Sequence, residues 1–194
     1  MQESNVEFMM QKNKKRTRNT ADFLPEIDAF EMKGHQMIDG AHPAMLDEEL
    51  LLNEVVLDFG RTGGPGGQHR NRKATACTAT HLPSDISGEA TERRKQSENR
   101  KLSIGRLRRS LAIQLRRNID PKKYKPSELW ESRRQGNQFA INPKHSDYPN
   151  VLAEALDILL ACDFEQPAAA GVLQVSSTQL LKIIAQDKAA LTWL

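Results

Sequence analysis

Cysteine is nearly absent from the 194 residues: Cys77 and Cys162 form no CxxC pair, and each sits among apolar or small neighbours. Two such thiols are expected to be reduced and buried, because a disulfide framework or a zinc cluster needs more ligands at set spacing. Cys77 with His81 four residues on is too little for a metal, so no metal is expected, and no organic cofactor is expected either. Aromatics make up only 5%, which removes the base-stacking platform of aromatic RNA-recognition sheets and predicts an aliphatic core. No apolar run approaches the ~20 residues that span a bilayer. The opening MQESNVEF has no apolar signal core, and its acids argue against a transit peptide. What remains, 38% hydrophobic and 27% charged, is the composition of a soluble domain, and the cytosol is the expected compartment.

The net charge of +3 is unevenly spread. Residues 1–60 carry 6 Lys/Arg against 12 Asp/Glu, residues 61–134 carry 19 against 7, and residues 135–194 carry 3 against 6. A basic middle between acidic ends points to a polyanionic partner met by one region, with a merely solvated helix face as the plainer alternative.

Residues 1–42 lack sustained periodicity and predict a disordered leader, with a basic knot at Lys12, Lys14, Lys15, Arg16 and Arg18. Several methionines, Met9, Met10, Met32, Met37 and Met45, leave the start codon open. From Pro43 the pattern tightens. Asp47–Asn53 reads as a short helix, and β-branched and aromatic residues predict strands near 53–59, 75–81 and 86–90, with a turn at Leu82–Asp85. A long helix is expected over 91–117, with Leu102, Ile104, Leu107, Leu111 and Leu115 on one stripe and arginines opposite, Arg116 and Arg117 included. The prolines of 118–127 break it, and 118–134 reads as a basic linker. In 135–194, helices are expected over 151–161, 168–173 and 177–190, the last opened by a capping box of Ser176 and Gln179. The expected fold is therefore α+β: a small sheet packed on one long helix over 43–117, followed by a helical extension. The apolar ending Leu191-Thr-Trp-Leu194 has no cap, as a piece of a longer chain would.

Between the first two strands lies Gly60 to Lys73, five of its fourteen residues glycine, with one proline and no aliphatic residue, which cannot pack a core and must be an exposed loop. Glycines let the main chain approach a ligand closely. Gln68 offers amide donors and an acceptor but no proton-transfer group. Arg61, Arg70, Arg72 and Lys73 flank the tip. The spacing fits neither the Walker A pattern nor the dinucleotide fingerprint. The loop looks built to press backbone N–H groups and one amide into a narrow, negatively charged place.

Arg61-Thr-Gly-Gly-Pro-Gly-Gly-Gln-His-Arg-Asn-Arg-Lys73 resembles the GGQ loop of bacterial-type peptide chain release factors and ribosome-rescue hydrolases. Thr80-His81-Leu82-Pro83 resembles that family's hairpin turn, and Glu92 to Arg100 resembles its Arg-x-Gln-x-x-Asn-Lys/Arg helix start. The likeness covers residues 46–117. It implies hydrolysis of the peptidyl-tRNA ester on the ribosome, with Gly66, Gly67 and Gln68 as catalytic residues. The Gln68 backbone N–H would bind the developing charge and its side chain would admit water. His69 is a candidate general base, but the resemblance leaves proton handling to RNA and water, so a positioning or RNA-contact role is expected of it. RNA contacts are expected from Arg61, His69, Arg70, Asn71, Arg72, Lys73, Arg93, Arg94, Lys95, Gln96, Asn99 and Arg100. The implied partners are the rRNA of the peptidyl transferase centre, peptidyl-tRNA and a methyltransferase acting on Gln68, with neither membrane nor DNA.

Only sixty residues precede Arg61, and no stop-reading PxT or SPF tripeptide occurs, so codon-independent rescue is expected over codon-specific termination. The acidic helical end departs from the basic tail usual in rescue hydrolases. Residues 168–181 resemble a helix-turn-helix, but the second helix offers only Gln179, Lys182, Gln186 and Lys188 beside Asp187, so a packing hairpin or protein-docking element is expected. The other reading of the whole chain is a non-catalytic ribosome- or RNA-binding module of release-factor descent.

Overall fold

A computed structural model describes residues 35–61, 74–136 and 138–193. The expectations on residues 1–34 and on the loop tip at 62–73 lie outside the described residues. The elements run β1 (Gln36–Ile38), a 3-10 turn (Pro43–Met45), α1 (Glu48–Leu52), β2 (Val55–Gly60), β3 (Ala76–His81) and β4 (Ile86–Ala90). There follow α2 (Gln96–Gln114), β5 (Leu115–Arg117), α3 (Glu128–Arg133), the short strands β6 (Arg134–Gln135) and β7 (Gln138–Phe139), α4 (Tyr148–Ala161), α5 (Gln166–Val172), α6 (Ser177–Ala185) and a final 3-10 turn (Ala190–Trp193). The architecture is α+β.

β2, β3 and β4 form an antiparallel sheet in that order. Gly60 pairs with Ala76 and Val55 with His81, while His81 also pairs with Ile86 across the 82–85 turn. The period of two is clear in β4, where Ile86, Gly88 and Ala90 are buried and Ser87 and Glu89 exposed. The buried side of β3 and β4 lies on α2, whose Ser103, Ile104, Leu107 and Leu111 are buried. Gly88, having no Cβ, lets the helix lie against the strand.

Several expectations are corrected. First, the long helix is shorter than 91–117 at both ends. Residues 91–95 stay outside the helix, where the Asn99 amide binds both main-chain groups of Arg93. At the other end the Arg116 guanidinium turns back onto the carbonyls of Ala112 and Ile113 at 2.8 Å, supplying the donors the last turn lacks. Arg116 is thereby fully buried instead of exposed. Second, the expected leader contributes structure at its end: Gln36–Ile38 pair in parallel with Leu115–Arg117. The segment is fastened by His42, whose Nε2 donates to Leu115 O at 3.2 Å while Nδ1 accepts from Ala44 N–H at 3.1 Å.

Third, α2 does not cover the sheet as a lone helix beside a separate extension. It lies between the sheet and α4, and one continuous core joins Ile104, Leu107 and Leu111 to Leu152, Leu156 and Leu159. Fourth, residues 118–134 are packed and do not span freely. Glu154, buried on α4, accepts from the Tyr124 hydroxyl at 2.9 Å, from Ser127 N–H at 2.8 Å and from Ser127 Oγ at 2.5 Å. Trp130 on α3 is fully buried, donates to Leu173 O at 2.9 Å and packs on Phe139 with centroids 4.4 Å apart. Asp157, one turn from Glu154, binds Arg117 Nε at 2.7 Å.

α5 and α6 cross at 95° over the link 173–176, with Gln174 in the left-handed region at φ 55°. α6 ends at Ala185, short of the expected 190, and the Asp187 carboxylate then accepts from Ala189 N–H at 2.9 Å. Among the described residues no single helix is long and apolar enough to cross a membrane. Both cysteines are free; Cys77 is buried, while Cys162 is half-buried against expectation.

Candidate functional site

The glycine-rich segment joins β2 to β3, and Gly60 faces Ala76 across the ladder, so the chain leaves and re-enters the sheet at adjacent positions. The catalytic candidates Gly66, Gly67 and Gln68, and the RNA-contact candidates His69, Arg70, Asn71, Arg72 and Lys73, lie outside the described residues. The described stem of this loop is held by the first turn of α2. Gln96 Nε2 donates to Ala74 O at 3.2 Å, and Asn99 Nδ2 donates to Thr75 O at 2.6 Å. Residues three apart on a helix share a face, so two amides reach two consecutive carbonyls of the returning strand.

Asn99 makes further bonds. Nδ2 also donates to Arg93 O at 3.0 Å, and Oδ1 accepts from Arg93 N–H at 2.9 Å. Asn99 was expected to touch RNA; the structure buries it completely and gives its donors and acceptor to protein partners. Gln96 is exposed and shares its amide with Ala74 O. The signal was present in the sequence, since two amides at i, i+3 in a helix's first turn suit backbone binding as well as nucleic acid.

The remaining candidates are cations. Arg61, at the exit of β2, is exposed, as are Arg93, Arg94 and Lys95; Arg100 is half-buried. Among the described residues no carboxylate pairs with Arg61, Arg93, Arg94 or Arg100, and Lys95 has only Glu98 at 3.8 Å. The nearby Glu92 is neutralised by Arg106: the guanidinium hydrogen bond holds the carboxyl down to about 2. Arg106 also caps the outer strand by donating to Glu89 O at 2.5 Å. Of the other basic residues of α2, Lys101 is exposed, whereas Arg108 donates to Leu46 O at 2.7 Å and Arg109 meets Asp187 at 2.9 Å and lies above the Tyr148 ring. Arg61, Arg93 and Arg94 thus place exposed positive charge, unpaired with carboxylates among the described residues, where the loop leaves the sheet, which suits a phosphate-rich surface. Among the described residues no group of three His, Cys, Asp or Glu is placed to hold a metal ion. His81 is buried at the opposite end of the hairpin, bound to Ser84 Oγ at 2.7 Å and Glu54 Oε2 at 3.1 Å.

The model of the RF-1 domain matches residues 46–145, a little over half of the chain. The chain belongs to the RF-1 domain family. Its RF-1 region is similar to peptide chain release factor 1 of Chlorobaculum tepidum, with 38% identity over 66 residues, covering 34% of this chain and 18% of that protein. It is 33% identical over 95 residues to peptide chain release factor 2 of Clostridium perfringens, covering 45% and 26%. With peptide chain release factor 1 of Malacoplasma penetrans it is 34% identical over 125 residues, covering 61% and 30%. The chain thus spans less than a third of the length of these relatives. The RF-1 match takes in the glycine loop, α2 and α3, and runs past the expected domain end at residue 117.

Proposed function

We propose that this RF-1 protein hydrolyses the ester of peptidyl-tRNA on the ribosome and so releases the nascent peptide. The observation that carries the reading is the stem: within the RF-1 region, α2 fixes the return of the loop bearing Gly66-Gly67-Gln68 beside Arg61, Arg93 and Arg94, which pair with no carboxylate among the described residues. Water attacks the ester carbonyl, the bond to the tRNA 3′ oxygen breaks, and the water's proton passes to that oxygen. The proposed role of Gln68 is to aim its backbone N–H at the developing negative charge; such a donor in a dry site contributes about 3 kcal/mol to the barrier reduction. Gly66 and Gly67 give the backbone room to approach. Arg61, Arg70, Arg72, Lys73, Arg93, Arg94, Lys95 and Arg100 are proposed to meet rRNA and tRNA phosphates, with His69 and Asn71 beside them. Chemical modification of Gln68 by a methyltransferase belongs to the same reading.

The finer reading, release without a stop codon, rests on the sequence alone. Ribosomes stalled on mRNA truncated in the P site, and ribosomes with a stop codon in the A site, would each be given the wild-type protein. Release from the truncated complexes alone is the expected result. Release that requires the stop codon would replace rescue with termination. Stable ribosome binding with no release from either complex would favour the non-catalytic module.

A further inference from the structure

Asn99 is the most fully committed polar side chain near the loop, and the reaction as read from the loop gives it no part. It is buried, yet it sits in the first turn of α2 with bonds in two directions. One goes to Thr75 O at 2.6 Å, on the strand returning from the loop. The other two go to the N–H and C=O of Arg93, at 2.9 and 3.0 Å, on the segment before the helix that carries Arg93, Arg94 and Lys95. A buried amide with all these partners holds them in one geometry, and removing it takes away the partner of the Arg93 N–H and of the Thr75 and Arg93 carbonyls at part-buried bonds. Resting on the release reading, we propose that Asn99 is a positioning residue: it sets the loop stem and the Arg93–Lys95 cations as one unit, so that phosphate contact by the cations places the loop.

The chemistry of the amide supplies a test that packing alone would not meet. In Asn99→Asp the oxygen that accepts from Arg93 N–H is kept, but the group facing Thr75 O and Arg93 O becomes an acceptor opposite acceptors. Protonation restores a donor there, and burial raises the pKa of such a carboxyl, so the defect shrinks as pH falls from about 8 to about 6.

Peptide release would be followed at a temperature where all variants are folded. Asn99→Ala is expected to lower kcat about 10- to 100-fold, the cost of a misplaced reacting group. The half-saturating ribosome concentration should change much less. Asn99→Asp is expected to approach wild type as pH falls. Leu156→Ala, a core truncation in α4, controls for lost stability and is expected to leave kcat unchanged. Equal kcat losses in Asn99→Ala and Leu156→Ala, or a pH-independent Asn99→Asp defect, would overturn the proposal. The clamp is also read on the free protein, by trypsin cleavage at Arg70, Arg72 and Lys73. Faster cutting in Asn99→Ala than in Leu156→Ala supports it even if wild type releases no peptide, an outcome that sinks the release reading alone. Equal cutting would overturn it.

Discussion

At Gly88 an added Cβ would lie 2.3 Å from the Leu107 nitrogen and 2.5 Å from Ser103 O, both backbone atoms of α2. Neither can swing aside as a side chain would, so strand and helix must separate. Gly88→Ala is expected to cost about 3 kcal/mol or more, lowering Tm by roughly 6–12 °C in a thermal melt. A melt within 2 °C of wild type, on the same scale, would show that the helix shifts freely. His42 is a second residue whose chemistry is set by burial. Desolvation, assisted by Arg116 and Arg117 and opposed by its bond to Leu115, pulls it from 6.5 down to about 3. The unfolded chain therefore binds a proton below pH 6.5 that the native chain refuses until about pH 3. Its contribution is intact above pH 6.5 and is lost on acidification, at about 1.4 kcal/mol per pH unit for one proton. Denaturant titrations of wild type and His42→Asn between those limits should show the steeper acid loss in wild type; parallel curves would remove His42 as the cause. Neither role is legible in the sequence, because Gly88 and His42 act through elements distant in the chain. Asn99 was legible as a functional residue but not in its direction, since an amide binds backbone and RNA with the same groups.

Among the elements, β2, β3, β4 and the helices after 148 follow from their periodicities, and the sequence places the loop between β2 and β3. The ends of α2 do not follow. A run of arginine and leucine favours helix throughout 91–117, but side chains of Asn99 and Arg116 compete for the backbone at each end. The packed state of 118–134 is equally hidden. Prolines and lysines read as a linker, whereas its hold comes from Glu154 and Leu173, far along the chain. Trp130→Ala should therefore cost about 3–5 kcal/mol and unfold α3 to α6 together with α2, in a single transition. Separate transitions by calorimetry would mean that the C-terminal helices are an independent unit.

For the molecule as a whole, the arrangement divides the work. An aliphatic core joins α4 to α2, Asp157 of α4 takes up Arg116 and Arg117 of β5, and Asp187 beyond α6 takes up Arg109 of α2. Arg61, Arg93 and Arg94, which pair with no carboxylate among the described residues, lie beside the loop stem. The basic middle third seen in the sequence thus holds arginines spent on packing and exposed cations that are not, Lys122 and Lys125 among them. The central claim, that the RF-1 loop promotes ester hydrolysis, is tested most directly by the single-turnover rate of peptide release from stalled ribosomes for wild type and Gln68→Gly. Removing the side chain while keeping the backbone N–H should preserve release but admit nucleophiles larger than water, such as hydroxylamine. Gln68→Pro, which deletes the N–H, should slow release about 100- to 1,000-fold at saturating protein. Equal rates for wild type and Gln68→Pro, or no release by wild type, would contradict the account.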